Sequence, residues 1–585
     1  MEPGKPLGEL RRIVCQFPLR GRRRWLAFDQ PVDVLWAEDL DDVLAVLDRA
    51  SQATADGFWV AGMVSYDAGP AFDPSVMARR HDRVPLAVLG VFEEPRTIDP
   101  PETGVYRVGS WHSSQRQSDY EAAIDRVRDY IGAGDTYQTN YSVRQRASFT
   151  GDDFGFFADL ARAQNASHCA YVDLGDRAVC SASPELFFRK EGRRILSRPM
   201  KGTAARHPDP EWDRIAALAL SESIKDRAEN TMIVDMVRND LGRIAQVGSV
   251  QVPELLTVEQ YPTIHTMTST VEAITDASMT EIFQALFPVA SITGAPKVRT
   301  CEIIHELEPE PRGMYTGVIG AMAPDGVAEF NVAIRTAFVD RTAQTAEYGV
   351  GGGIVWDSDP STEWHETRTK TRVLDHAQSD FRLLETIGWD PRAGAVLFNR
   401  HLARLEASAN HFGFDIDLIR IRMAVADIEA DAPSRLRLLA APDGTFELEV
   451  HPLGPAANIS REVPIDTAPV SSDDEFLFHK TTRRQVYESA QARFPKASDV
   501  LLHNERGELT ETTIGNVVLE LDGELVTPPV ICGLLPGTLR AELVATGMVR
   551  EQVVVLDDLH RATNVWMINS VRGWVPITPV FSASS

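Results

Sequence analysis

The strongest constraint on the fold is a break in pattern near residues 375–381, where a charged helical run ending around Leu374 gives way to Asp375-His-Ala-Gln-Ser-Asp380. Past it the chain starts afresh with Phe381-Arg-Leu-Leu-Glu-Thr386 and soon enters the helical run His401-Leu-Ala-Arg-Leu-Glu-Ala-Ser-Ala409. A chain of 585 residues exceeds the size at which one hydrophobic core keeps growing. The break is therefore read as a boundary between a domain at residues 1–377 and a second at residues 378–585. No segment recurs at a fixed period, which argues against a solenoid or propeller. The first half is dense in Gly, Thr and alternating strands, and the expected class is α+β throughout.

Hydrophobic, aromatic and charged fractions of 43%, 8% and 24% are ordinary for globular proteins. The net charge of −25 repels nucleic acid and anionic membrane, so neither is expected as a partner, and an anionic substrate has to be held by local cations. Five cysteines stand singly, without a C-x-x-C pair, which points away from a zinc cage or a disulfide framework and fits a reducing cytoplasm. The arginine-rich N-terminus lacks the apolar core of a secretory signal, and no run approaches transmembrane length; a soluble protein is expected.

In the first half, Ser118-Asp-Tyr-Glu121 has the form of a capping box, and Tyr120, Ile124, Val127 and Ile131 follow at helical spacing before Gly132 and Gly134. A strand over Thr136–Val143 then puts Gln138, Asn140 and Ser142 on the face opposite Tyr137, Thr139 and Tyr141. A helix over Ser221–Arg238 sets Glu222, Asp226 and Glu229 on one stripe, which alone reads as a solvated face. Ser361–Lys370 repeats the device with Glu363, Glu366 and Lys370. Two such pairs suggest a hard cation: Glu229 and Glu366 suit a magnesium ion that also grips a substrate carboxylate, with Asp226 and Glu363 behind them. The run Gly349-Val-Gly-Gly-Gly-Ile-Val355 lacks the spacing of a dinucleotide loop and more plausibly brings backbone N–H groups, including those of Gly351 and Gly352, to an anion. Lys201, wedged between Pro199-Met200 and Gly202-Thr203, is an odd place for a surface charge and reads as a nucleophile, or else as an anion clamp.

Several motifs in order, Ser183-Pro-Glu185, Pro199-Met-Lys-Gly-Thr203, Asp226-Arg-Ala-Glu-Asn230, Ser291-Ile-Thr-Gly-Ala-Pro-Lys297, Ile334-Arg-Thr336 and Glu363-Trp-His-Glu-Thr367, make residues 50–375 resemble the chorismate-utilising enzymes. That resemblance implies a two-sheet core with outer helices. It implies that Glu185 protonates the departing C4 hydroxyl and that Lys201 attacks C2, where anthranilate-forming members usually carry alanine. It also implies that Gln138 stands where water-adding members carry a lysine base, that Tyr315 and Arg335 bind the pyruvyl-ether carboxylate, that His265 is an active-site histidine and that Lys370 neutralises nearby carboxylates. No glutaminase nucleophile motif appears, so a separate glutamine amidotransferase subunit is the expected ammonia source.

In the second half, Phe478-His-Lys-Thr-Thr-Arg-Arg484 and Leu509-Thr-Glu-Thr-Thr-Ile-Gly-Asn-Val-Val-Leu519 are each weak alone; the lysine among arginines reads as a solvated basic face. Together they resemble the fold-type IV pyridoxal-phosphate enzymes, which implies two subdomains with the cofactor between them. On that resemblance Lys480 binds the cofactor covalently, Glu511 faces its pyridine nitrogen, and Arg404 with Gly537 and Thr538 holds its phosphate. Gly537-Thr538 also fits a plain helix start. The family is commonly dimeric, so a homodimer is expected. The two resemblances together imply conversion of chorismate and ammonia to 4-aminobenzoate and pyruvate. The rivals are an anthranilate-type synthase joined to an aminotransferase, and a non-catalytic chorismate-binding subunit.

Overall fold

The amphipathic periods of the sequence resolve into sheets sheathed by helices. The computed structural model describes residues 9–17, 24–164, 166–206, 210–261, 264–376, 381–454, 462–472 and 474–581. The chain divides into two compact units, one built from residues 1–205 and 216–379, the other from residues 206–215 and 380–585. The expected boundary at 377/378 lies outside the described residues.

The first unit contains an eleven-stranded and a ten-stranded sheet among its described residues, with every strand pair antiparallel. Ile13, Val172 and Val179 from the first sheet meet Met63, Val88 and Ile319 from the second in a shared core. Helices cover the outer faces. Leu40–Ala55 buries Val43, Val46, Leu47 and Ala50, an i, i+3, i+4, i+7 stripe, against the ten-stranded sheet, and Ile224–Gly242 adds Ile233, Val234 and Val237. Gln117–Gly132 and Asp153–Gln164 cover the eleven-stranded sheet.

Three local expectations change. The helix after residue 116 starts at Gln117 with Arg116 at its N-cap and no side-chain cap, so the Ser118/Glu121 capping box does not form; Arg116 bonds Asp119 and Gln117 bonds Glu121 instead. The strand expected over 136–143 runs from Gln138 to Gly151, leaving Tyr137 exposed ahead of it. The helix expected over 221–238 is broken at Ser223, whose hydroxyl accepts from Asp226 N at 3.2 Å and caps Ile224–Gly242. Glu222 ends the preceding helix, Pro210–Glu222, so the stripe keeps only Asp226 and Glu229.

The second unit contains a four-stranded sheet centred on Leu383–Asp390 and Ser434–Ala440, backed by Phe398–Phe412 and Leu418–Ala426. A seven-stranded sheet, built around Asn516–Leu521, forms its other layer with separate cores. The molecule is thus α+β in both units.

Candidate active sites

In the first unit a cavity of about 170 Å³ gathers most of the residues singled out in the sequence: Glu185, Lys201, Asp226, Glu229, Tyr315, Arg335, Gly351, Gly352, Glu363, Glu366 and Lys370. Glu185 sits where the chain crosses between sheets, after the strand Arg177–Ser183 and before Leu186–Glu191. The crossing is pinned by Ser183 Oγ, which donates to Val332 O at 2.6 Å and accepts from Glu185 N at 3.2 Å. Burial pushes the Glu185 carboxyl up to about 7, against the opposing pull of Ser291 and Lys201.

Lys201 lies on Met200–Ala205, an end strand of the ten-stranded sheet, at a register shift against Ile264–Ile274 between Met200 and Thr203. Such a bulge re-aims a side chain. Gly202 takes φ +85°, and a Cβ there would stand 2.9 Å from Asp226 Cβ, so the backbone requires glycine after Lys201. Burial lowers the Lys201 pKa, and Lys370 pushes the same way while Glu229 opposes. Its ammonium donates to Asn140 Oδ1 at 3.0 Å.

The glycine run makes room for particular side chains. A Cβ on Gly349 would collide with the Tyr315 ring at 2.1 Å, and one on Gly352 would face Glu363 Oε2 at 3.1 Å. On Gly353 it would stand 2.0 Å from Gln138 Nε2, 2.9 Å from Lys201 Nζ and 3.0 Å from Asn140 Oδ1. Gln138 is fully buried, with both amide atoms lacking a hydrogen-bond partner. Arg335 adopts φ +52°, a left-handed strain of roughly 1 kcal/mol in a non-glycine residue. Its Nη1 donates to Lys370 O, and Lys370 Nζ bonds Glu366 at 2.6 Å and Gly351 O at 2.9 Å. The cavity is lined by Ile264 and Thr266, the neighbours of His265, and not by buried His265 itself.

Burial raises Glu229 to about 7, with Asp226 and Glu363 adding to the rise, and burial likewise raises Glu363. Lys370 holds Glu366 low. No group of three or more His, Cys, Asp and Glu forms a ready metal cage among the described residues. The pair Glu229 and Glu366 in one cavity is the smaller donor set that magnesium takes together with water and substrate oxygens. Asn140 and Ser291, which contact Lys201 and Glu185, were given no role in the sequence reading; the face shared with Gln138 and the Ser291–Lys297 motif were the available signals.

In the second unit Lys480 is half-buried and its pKa falls to about 8, chiefly by desolvation and next by the charge of Arg404. Glu511, on Leu509–Thr512, accepts from Tyr487 OH at 2.7 Å, Leu535 N at 3.1 Å and Asn516 Nδ2 at 3.2 Å, while burial raises it to about 7. Arg404 gives Nε and Nη2 to Glu385 at 2.9 and 2.6 Å and Nη1 to Pro536 O at 3.2 Å. One turn earlier on the same helix, His401 bonds Glu385 at 2.6 Å, Ser570 Oγ at 3.0 Å and Thr538 Oγ1 at 3.2 Å. Gly537 is the N-cap of Thr538–Ala545, where a Cβ would stand 1.9 Å from Asn516 Oδ1. Arg404, Thr538 and Ser570 thus converge through Glu385 and His401, two residues the sequence reading passed over. A half-buried low-pKa lysine, a buried carboxylate and this polar cluster fit pyridoxal phosphate.

Residues 96–375 match the chorismate binding enzyme family and residues 382–580 the amino-transferase class IV family. The chain is 43% identical over 279 residues to aminodeoxychorismate synthase component 1 of Salmonella typhimurium, covering 47% of this chain and 61% of that protein. It is 36% identical over 279 residues to anthranilate synthase component 1 of Cereibacter sphaeroides, covering 47% and 55%. The chain thus spans about three-fifths of the length of the curated relatives it matches. The crystal structure of anthranilate synthase component I from Streptococcus pneumoniae superposes with a TM-score of 0.53 at 24% identity, over 62% of this chain and 92% of that one, which shows the two-sheet fold. With its first unit shaped like these enzymes and its low-pKa lysine and buried carboxylate in the second, the chain carries a chorismate binding enzyme domain followed by an amino-transferase class IV domain on one polypeptide.

Proposed function

We propose that this chain makes 4-aminobenzoate in two steps: amination of chorismate to 4-amino-4-deoxychorismate, then elimination of pyruvate from that intermediate. The observation that carries the reading is Lys201 in the same cavity as Glu185, where burial shifts the amine toward its neutral form and the carboxyl toward its protonated form. Neutral Lys201 attacks C2 of chorismate as Glu185 gives its proton to the C4 hydroxyl, which leaves as water. Ammonia then bonds to C4, the C2–nitrogen bond breaks, and Lys201 is released. Glu229 and Glu366 would hold a magnesium ion that neutralises the substrate's ring carboxylate, while Arg335 and Tyr315 take the pyruvyl-ether carboxylate. Gln138 cannot deprotonate water, which favours ammonia as the incoming nucleophile.

In the second unit Lys480 would anchor pyridoxal phosphate, with Glu511 against its ring nitrogen and Arg404, Gly537 and Thr538 at its phosphate. When bound, the cofactor supplies an electron sink. Lys480 Nζ takes the proton from the amine-bearing carbon, and loss of pyruvate leaves an aromatic ring. The 43% identity to an aminodeoxychorismate synthase component 1 supports the first step. Its designation as a component supports a separate glutamine amidotransferase subunit as ammonia donor. A homodimer in the cytoplasm completes the proposal.

Purified chain given chorismate, magnesium and ammonium is expected to release 4-aminobenzoate and pyruvate. Lys201→Ala should abolish chorismate loss yet still convert supplied 4-amino-4-deoxychorismate. Lys480→Ala should accumulate that intermediate. Appearance of 2-aminobenzoate would instead identify an anthranilate-type enzyme, and unchanged chorismate a binding subunit.

A further inference from the structure

We propose that Asn140 and Ser291 are positioning residues of the amination step, joining Lys201 and Glu185 in one chain of hydrogen bonds. The inference rests on the amination reading and extends it. Lys201 Nζ donates to Asn140 Oδ1 at 3.0 Å, Asn140 Nδ2 donates to Ser291 O at 3.2 Å, and Ser291 Oγ donates to Glu185 Oε1 at 2.5 Å. A backbone carbonyl can only accept, so it fixes the amide nitrogen of Asn140 toward Ser291 and the amide oxygen toward Lys201.

That orientation matters for the chemistry. An amide oxygen accepts a hydrogen bond without taking a proton, so Asn140 holds the amine in place and adds no charge beside it. A neutral amine that gives one N–H to Asn140 keeps its lone pair free to aim at carbon. At the other end, the Ser291 hydroxyl donates to Oε1 of Glu185 and fixes the orientation of the carboxyl that gives its proton. Nucleophile and acid are thereby held against one common frame, and misplacement of reacting groups by about 1 Å costs on the order of a hundredfold in rate.

The frame is itself braced. Asn140 N donates to Thr293 O at 2.8 Å, while Arg312 donates from Nη2 to Asn140 O at 3.0 Å and from Nη1 to Ile292 O at 2.8 Å. Arg312 is buried and paired with Glu308 at 2.7 Å. The strand that carries Asn140 and the segment that carries Ser291 are thus clamped by one guanidinium.

The test uses the full chain with chorismate and magnesium, at constant free ammonia across pH, and follows chorismate loss. Asn140→Asp puts a carboxylate beside Lys201 and favours its charged form, so the acid limb of kcat should move up by about one pH unit, with roughly a tenfold loss near neutrality. Asn140→Ala should lower kcat about tenfold with KM for chorismate nearly unchanged. Ser291→Ala removes a bond that favours the ionised Glu185, so the alkaline limb should move upward. Asn140→Asp and Ser291→Ala variants that stay active with their limbs where the unsubstituted chain has them would overturn the proposal, as would Asn140→Ala changing kcat and KM together. If the unsubstituted chain consumes no chorismate, the amination reading fails and this inference with it; unmoved limbs in active variants sink the inference alone.

Discussion

Gly353 shows how much chemistry depends on a missing methyl group. The side-chain ends of Gln138, Lys201 and Asn140 all fall within 3.0 Å of where its Cβ would be. Gly353→Ala should therefore displace Lys201 and cut chorismate turnover by about a hundredfold. Conversion of supplied 4-amino-4-deoxychorismate by the second unit should be unaffected; equal turnover of chorismate by the variant would refute the crowding argument. Lys201, Glu229 and Glu366 stood out in the sequence through their own surroundings and Glu185 only through the family resemblance; the structure brings all four to one cavity. Asn140 and Ser291 did not stand out, because their contact depends on an amide orientation set by a backbone carbonyl 151 residues away.

Among elements, the junction of the strand Leu383–Asp390 with the helix Phe398–Phe412 carries a buried charged cluster. Glu385, buried on the strand, takes both Arg404 and His401 of the helix. Burial alone would raise its carboxyl, but the Arg404 charge and the His401 hydrogen bond outweigh it and lower the pKa from 4.5 to about 2. A depressed carboxylate stabilises the fold above its unfolded value and loses that contribution as pH falls from 4.5 toward 2. The linkage is on the order of 3 kcal/mol at neutral pH. Glu385→Gln should lower the denaturant midpoint of the second unit at pH near 7, with the gap to the unsubstituted chain closing under acid. A gap independent of pH would refute the linkage. Apolar periodicity revealed the helix at 117–132 because it records burial directly, whereas the helix at 360–376 showed itself through Glu363, Glu366 and Lys370 on one charged face. Helix ends were harder to read: Ser118 has the form of a cap but lies inside the first turn, whereas Ser278 with Glu281 does close a reciprocal capping box before Met279–Leu286. The decision rests on which backbone N–H groups lack a partner, and that is a property of the three-dimensional start of the helix.

At the scale of the whole molecule, the strand Gln138–Gly151 pairs with Thr345–Ile354 without a register shift from Thr345↔Ser148 to Ile354↔Thr139. Two segments about two hundred residues apart therefore build one wall of the cavity. The two-sheet architecture was available from the family resemblance and not from periodicity, since pairing so distant leaves no local pattern. No helix among the described residues is long and apolar enough to cross a membrane. All five cysteines are buried thiols outside any disulfide, and they are divided unevenly: Cys15, Cys169, Cys180 and Cys301 lie in the first unit and Cys532 in the second. The molecule therefore carries its own ledger of unfolding. A maleimide dye should leave the native chain unlabelled and, across a denaturant series, add one label per molecule when the second unit opens and four when the first does. Mass spectrometry of the labelled chain would then read the order in which the two halves come apart, with no engineered probe in either.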